Sequence, residues 1–405
     1  MKRLIGNEIR LFLSEKNIIL TIIAIVSMVF LFQFNYIEKY KKYPEVHQNE
    51  LQEQIDNATV WAERFKARLN RLLKEYPGHE AIPEAELEAK IWEKDLSYLK
   101  FLQLLWDDPE KYETIIRKTE KEMDDNLIPI HEQGIETGIT GLYKSDERDW
   151  NSRMILRDAY AKENRQSPLI PIRPDGAYLV SEALNGTSFL YFVAVILIIL
   201  LNFDIWSKDF ENETSRLLFT MPYSKKQIYL TRLIVRFIMS LISIFVCLTI
   251  LFLIGYVKFG SGLERLIIVN QKGLNSFSFF NLSRLELLPL DKVIQVEKYI
   301  LLELAVFIPY ILLVYTVIQL VSFVSRNQMT SLIIPLIGLI MLITNLMLPK
   351  ESYMVGANIF LYMQPEKMFL GDLGIGLPLS ITLLFVVSLL LIGISLIILN
   401  KKEQY

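Results

Sequence analysis

The run SFLYFVAVILIILLNF, residues 188–203, carries no charged side chain and a single amide, Asn202. A helix needs about 20 predominantly apolar residues to cross a bilayer core, and this run with its flanks supplies them. Backbone N–H and C=O groups find no water in hydrocarbon, so such a run is helical from end to end. Reading outward, runs of the same kind occupy residues 17–34, 233–257, 300–324, 331–348 and 377–399. The expectation is an all-α membrane protein with six transmembrane helices. The first run is too long for the apolar core of a secretory signal, and no small-residue cleavage site follows it. It reads as a retained anchor over residues 17–35.

Of the 405 residues 52% are hydrophobic, with mean hydropathy +0.31, and their distribution matters more than their number. A net charge of -2 gives no electrostatic footprint for nucleic acid. The one cysteine, Cys247, sits in an apolar run, which excludes a disulfide framework and a thiolate zinc site. His47, His79 and His131 are scattered without ligand spacing. Neither a metal nor a cofactor is expected in this chain.

Basic residues beside the runs set the orientation. Lys2, Arg3, Arg10 and Lys16 precede the first, Lys401 and Lys402 follow the last, and Lys208, Arg216, Lys225, Lys226, Arg232 and Arg236 lie between the second and third. With alternating spans all of these fall on one side, which places both termini in the cytoplasm of a multi-pass, bacterial cell-membrane protein. The segment 258–298, although it also holds basic residues, then lies outside.

Leu4, Ile5, Ile9, Phe12 and Leu13 share one helical face, with Lys2, Arg3, Asn7 and Arg10 largely elsewhere. This predicts an interfacial amphipathic helix over residues 1–16. Residues 36–186 read as a large helical extracytoplasmic domain. In it, Leu51, Ile55, Ala58, Ala62, Phe65, Leu69, Leu72 and Tyr76 form a heptad seam, which Pro77, Gly78 and Pro83 then break. A second amphipathic helix follows through Leu87, Ile91, Tyr98, Phe101 and Leu105. A third starts at Asp108–Pro109 and a fourth covers 146–165. The domain's acidic excess reads first as a solvated surface.

No phosphate-cradling G-x-x-x-x-G-K-[ST] loop occurs, and no G-x-S-x-G, H-E-x-x-H or EF-hand pattern. The chain is therefore not expected to be an enzyme. Within the spans the ionisable group that stands out is Glu303, near the outer end of the fourth. A charge in lipid is costly, so Glu303 either faces protein or water on a substrate or proton path, or snorkels to the outer interface. Asn202, Gln319 and Asn345 read as helix–helix hydrogen-bonding residues, and Pro309 and Pro335 as kinks.

The polar stretch FENETSRLLFTMPYSKKQIYLTRLI, residues 210–234, lies between the second and third runs and is longer than a return loop requires. Glu211 and Glu213 suit the first turn of a helix over about 207–224. Leu217, Leu218 and Met221 make a small apolar ridge, and Pro222 ends it. Such a ridge flanked by charge fits a groove on a soluble partner, though an ordinary interfacial helix would look similar.

The order of these features resembles the ABC-2 type transporter permeases. In that family the loop between the second and third spans carries a coupling helix, matched here by Phe210, Glu211, Thr214, Leu217, Leu218, Pro222, Ser224 and Lys225. Where the family pattern has glycine before the threonine, this chain has Glu213. The resemblance implies a permease subunit of an ATP-binding cassette exporter, coupled through these residues to separate cytoplasmic ABC ATPase subunits that hold ATP and Mg. It also implies pairing with a second permease copy or a sister permease. The segment LPKESYMVGANIFLYMQPEKMFLGDLG, residues 348–374, has the composition of the family's short re-entrant outer helices, or of a plain outer loop. The large outer domain suits a peptide, lipid-like or drug substrate. The alternative is a non-transport membrane sensor or assembly protein whose outer helices are the binding module.

Overall fold

The structure is a computed structural model that describes residues 2–107, 159, 162, 174–214, 222–277, 292–325, 327–347, 358–370 and 373–401. In chain order the helices are α1 (Lys2–Phe12), α2 (Glu15–Leu31), α3 (Ile37–Glu75), α4 (Ile82–Asp107), α5 (Gly176–Leu184), α6 (Phe189–Asn202), α7 (Ser207–Glu211) and α8 (Lys225–Phe259). After them come β1 (Leu266–Val269), α9 (Gln271–Asn275), β2 (Lys292–Gln295), α10 (Val296–Val324) and α11 (Gln328–Met347). The chain ends with α12 (Pro365–Phe369) and α13 (Leu377–Lys401). A π-turn at Phe32–Tyr36 follows α2, and a 3-10 turn at Ile359–Met363 precedes α12. Residues 37–107 form one compact unit, and the rest of the described residues form another.

Among the described residues five helices are long and apolar enough to cross a membrane: Glu15–Lys42, Phe189–Glu211, Lys225–Phe259, Val296–Val324 and Leu377–Asn400. The remaining expected run is helical as α11, but its described apolar stretch, Gln328–Met341, is shorter than these. α6 and α10 bury more than half of their apolar windows, whereas α2, α8 and α13 leave more than two thirds of theirs open. Open apolar faces such as Ile234, Ile238 and Ile242 on α8 are affordable where the surroundings are hydrocarbon rather than water. The central pair is therefore α6 and α10.

The fold is not purely helical. β1 and β2 form an antiparallel ribbon, from Leu266 opposite Gln295 to Val269 opposite Lys292. Both strands are short and fall inside a stretch that reads as an outer loop, and their β-branched residues favour the extended backbone.

The stretch before residue 186, expected in the outer domain, includes α5. α5 lies in the unit of the spans, with Ala177, Leu179, Ala183 and Leu184 buried. Asp175 caps it by accepting from Tyr178 N at 2.9 Å and pairs with Arg265 at 2.9 Å. Gly176 and Gly255 make the approach of α5 to α8 close. A Cβ on Gly255 would stand 2.7 Å from the Asp175–Gly176 backbone, and one on Gly176 would stand 2.7 Å from Phe252 O.

In the other unit α3 and α4 make an antiparallel hairpin turned at Gly78, whose φ of 94° favours glycine. Leu51, Ile55 and Ala58 close on Leu99, with Trp92 and Leu96 packed alongside. The seam holds through Ala62, is half-buried at Phe65, Leu69 and Leu72, and ends at an exposed Tyr76. On α4 the buried line is Ala85, Ala89, Ile91 and Leu99, and Leu87 is only half-buried. Small alanines let the helices approach, so they take the positions that larger side chains were expected to fill. The side chains of Tyr98, Phe101 and Leu105 and the helix expected from Asp108 lie outside the described residues. Of the helix expected over 146–165, Ala159 and Lys162 are described, both helical.

Candidate functional site

The chain leaves α6 at Asn202 through a turn and enters the short α7. This joint is held from several sides. Ser322 Oγ on α10 accepts from Trp206 N at 3.0 Å and from Ser207 N at 3.2 Å, satisfying donors that a helix start leaves open. Ser331 Oγ on α11 donates to Phe203 O, and Lys16 Nζ reaches Asp204 at 2.7 Å while lying over the Phe203 ring.

A charge network surrounds the same joint. Arg232 on α8 donates from Nε to Glu8 Oε1 at 2.8 Å, and from Nη1 to Ile205 O at 3.1 Å and to Asp209. Its guanidinium lies 4.7 Å from the Trp206 ring, which stacks on Tyr229 and meets Phe323 edge-on. Arg236, one turn on, stands 3.5 Å from Glu8 and 3.7 Å from Asp204. Three bases (Lys16, Arg232, Arg236) meet three acids (Glu8, Asp204, Asp209), so the charges of the network balance, with Arg232 and Glu8 its most buried members. Residue by residue, the sequence shows none of this as a site. Glu8 falls at i+4 from Leu4 and i−4 from Phe12, inside the apolar stripe, and the buried face of α1 is Leu4, Glu8 and Phe12, with Leu13 half exposed. The available signals were that acid within the stripe and the i, i+4 pair Arg232 and Arg236 in α8.

The expected helix over 207–224 is interrupted. α7 ends at Glu211, and Glu213 takes φ +56° in the left-handed region, the conformation glycine adopts freely. Glu211 does not open a helix here. Its Oε2 accepts from Gln328 N at 3.1 Å, at the start of α11. Thr214 Oγ1 donates to Asp209 Oδ1 at 3.1 Å, and so joins the carboxylate that Arg232 holds. Phe210 packs edge-on against Phe323. Leu217, Leu218 and Met221 lie outside the described residues. Pro222 is exposed in the bend before Ser224, which with Gln227 forms the capping box of α8. Phe210, Glu211, Glu213 and Thr214 thus gather at one place, and Pro222 stands where the chain returns.

Glu303 lies apart from this joint. Its side chain is 1% exposed, so it does not reach out to solvent, and its Oε1 accepts from Ser181 Oγ at 2.8 Å. Two neighbouring carboxylates are anchored beside the same helix. Glu182 accepts from Tyr36 Oη at 3.1 Å, and Glu366 accepts from Asn185 Nδ2 at 2.9 Å. Burial, and then the Glu182 carboxylate, push the Tyr178 phenol well above its usual range. Among the described residues no group of three or more His, Cys, Asp or Glu is arranged to hold a metal ion.

The family model described as ABC-2 family transporter protein matches residues 153–361, just over half of the chain. No curated protein and no solved structure matches it.

Proposed function

The chain belongs to the ABC-2 family of transporter proteins and is a multi-pass permease of an ABC transporter, and from that premise we propose that it works as an exporter driven by separate ATPase subunits docking at residues 207–224. The observation that supports this reading is the clamp around the α6–α7 joint. The stretch between Thr214 and Pro222 leaves from a residue bonded to Asp209 and returns at the capping box of α8. A load on that stretch bears on Asp209 and Arg232 at one end, on α8 at the other, and through Glu211 on the start of α11. A partner that pushes there moves three membrane helices together, as a rocking mechanism requires.

In this reading α11 is the sixth crossing, since its 20 residues span about 30 Å. The charge network then faces the cytoplasm with both termini, and residues 37–107 lie outside. ATP and Mg are held by the partner ATPases, and the permease pairs with a second copy or a sister permease. The substrate class that the outer hairpin suits is a peptide, lipid-like molecule or drug.

The test is co-purification of the permease with its cognate ATP-binding subunit, comparing wild type with Leu217→Asp/Leu218→Asp. The permease alone should show no ATP hydrolysis and the complex should. The double variant should lose the complex or its transport-linked turnover. Assembly and turnover that survive the change would sink the coupling assignment.

A further inference from the structure

Glu303 is the most thoroughly buried carboxyl on the membrane helices, and the ATPase reading gives it no task. α5 places Ser181, Glu182 and Asn185 within little more than one helical turn, and each meets an acid system. Ser181 bonds Glu303 of α10, Glu182 is itself a carboxylate held by Tyr36, and Asn185 bonds Glu366 of α12. Glu182 and Glu366 are thus the carboxylates that α5 gathers on the side where Ser181 meets Glu303. Glu303 Oε2 is buried and has no hydrogen-bond partner among the described residues.

Among the described residues, the elements packed against α10 on this side carry few ionisable groups. α5 contributes Tyr178 and Glu182, α12 Glu366 and Lys367, the 3-10 turn Tyr362, and α6 Tyr191. α10 itself has Glu297, Lys298 and Tyr299 on its first turn, and β2 has Lys292. α11 has no ionisable side chain, and α13 has none before Lys401. Among the described residues the charged groups set against Glu303 are the acids Glu366 and Glu182. A carboxylate there would bear its full desolvation cost with one hydroxyl donor and two like charges for company. Among the described residues no metal-type arrangement is present, and a side chain 1% exposed leaves no room for an organic cation. The cation that fits is a proton.

We propose that Glu303 is a proton-binding site at the joint of α5, α10 and α12, occupied in the packed arrangement seen here and emptied when that joint opens. Binding is an acid–base equilibrium with water: a proton joins Oε2, Oε1 keeps the Ser181 hydrogen bond, and no other group changes. The neutral carboxyl lets three acid-bearing elements pack together, and its ionisation drives them apart. This is independent of where an ATPase docks.

The test is infrared spectroscopy of the full chain in detergent micelles at pH 7. Wild type minus Glu303→Gln should show the carbonyl stretch of one neutral carboxyl, shifted in D2O. Ser181→Ala, which keeps Glu303, should retain that band at higher frequency because its carbonyl loses a donor. A carboxylate signature in its place, in wild type or Ser181→Ala, overturns the proposal. Thermal unfolding gives a second reading. Stability that depends on the bound proton is present at low pH and lost as pH rises through the folded-state titration. The wild-type midpoint should therefore fall between pH 5 and pH 9 more steeply than that of Glu303→Gln. Equal slopes would also overturn it.

Discussion

Arg232 and Glu8, 224 positions apart in sequence, form an ion pair of 2.8 Å with side chains 4% and 3% exposed. This pair ties the N-terminal α1 to α8, and through Asp209 and Ile205 O it also ties both to the α6–α7 joint. α1 is thus a fixed part of the helix assembly, with Leu4 in the same core cluster as Trp206, Tyr229 and Phe323.

Removing one partner of a buried pair leaves a lone charge, which typically costs about 3–5 kcal/mol. Glu8→Ala should therefore destabilise the chain by up to about that much, because Arg232 and Arg236 both lose their shared acid and keep only Asp209 and Asp204. Replacing the pair with apolar groups of similar size, Glu8→Leu with Arg232→Met, removes both charges and should recover part of the loss. Thermal unfolding of the single and double variants in one detergent checks this. Additive losses would show that the pair does not act as a unit.

Ser322 holds two amides at once, those of Trp206 and Ser207. Ser322→Ala leaves these buried donors without their acceptor, and a stranded buried donor costs about 1–3 kcal/mol. Hydrogen exchange should speed up at Trp206 and Ser207 and stay unchanged in the hairpin of α3 and α4. Unchanged protection at the two amides would count against the clamp.

Glu213 stands in the left-handed region at φ +56°, where side chains pay a steric penalty of about 1–2 kcal/mol. Glycine removes the penalty but loses more chain entropy on folding, about 0.5–1 kcal/mol. Glu213→Gly should accordingly be neutral to about 1 kcal/mol stabilising, while Glu213→Val should destabilise because a β-branched residue fits that region worst. Unfolding midpoints in the order Gly, Glu, Val from high to low are expected, and Val equal to Gly would contradict the backbone argument.

The span helices were legible because a bilayer core imposes a length and an apolarity that composition reveals directly. α6 and α10 announce themselves this way. The clamp was not legible, because its members are spread over α1, α2, α7, α8, α10 and α11 and each taken alone has a bland local reading. Glu8 is a lone acid between Leu4 and Phe12 that points to no particular partner, Arg232 and Arg236 pass for orientation charges, and Ser322 and Ser331 for small residues in spans. Glu213 was visible as a departure from the family glycine, and the structure gives that departure a physical meaning: the backbone still adopts the conformation glycine prefers. On α4 large apolar residues were expected in the seam, but close packing selects Ala85 and Ala89. Helix periodicity alone does not show how near the partner helix will come.

The crossing of α5 and α8 gives the sharpest packing contrast. Gly255 has no space for a Cβ, because the nearest atoms would be the Asp175 carbonyl carbon and Gly176 N, both at 2.7 Å and both backbone. Neither can rotate away, so Gly255→Ala forces the helices apart and should cost about 1–3 kcal/mol, as overpacking does. The shift also strains the Asp175–Arg265 pair and the cap on Tyr178 N, so Arg265→Ala added to Gly255→Ala should cost less than it does alone. Gly338 in α11 is the control, with nothing within 4 Å of an added Cβ. Gly338→Ala should be neutral or stabilise by up to about 1 kcal/mol, since alanine is the better helix former. Thermal unfolding of both variants in the same detergent decides it. Equal responses at the two glycines would show that α5 and α8 do not meet as closely as the Gly176–Gly255 contact requires.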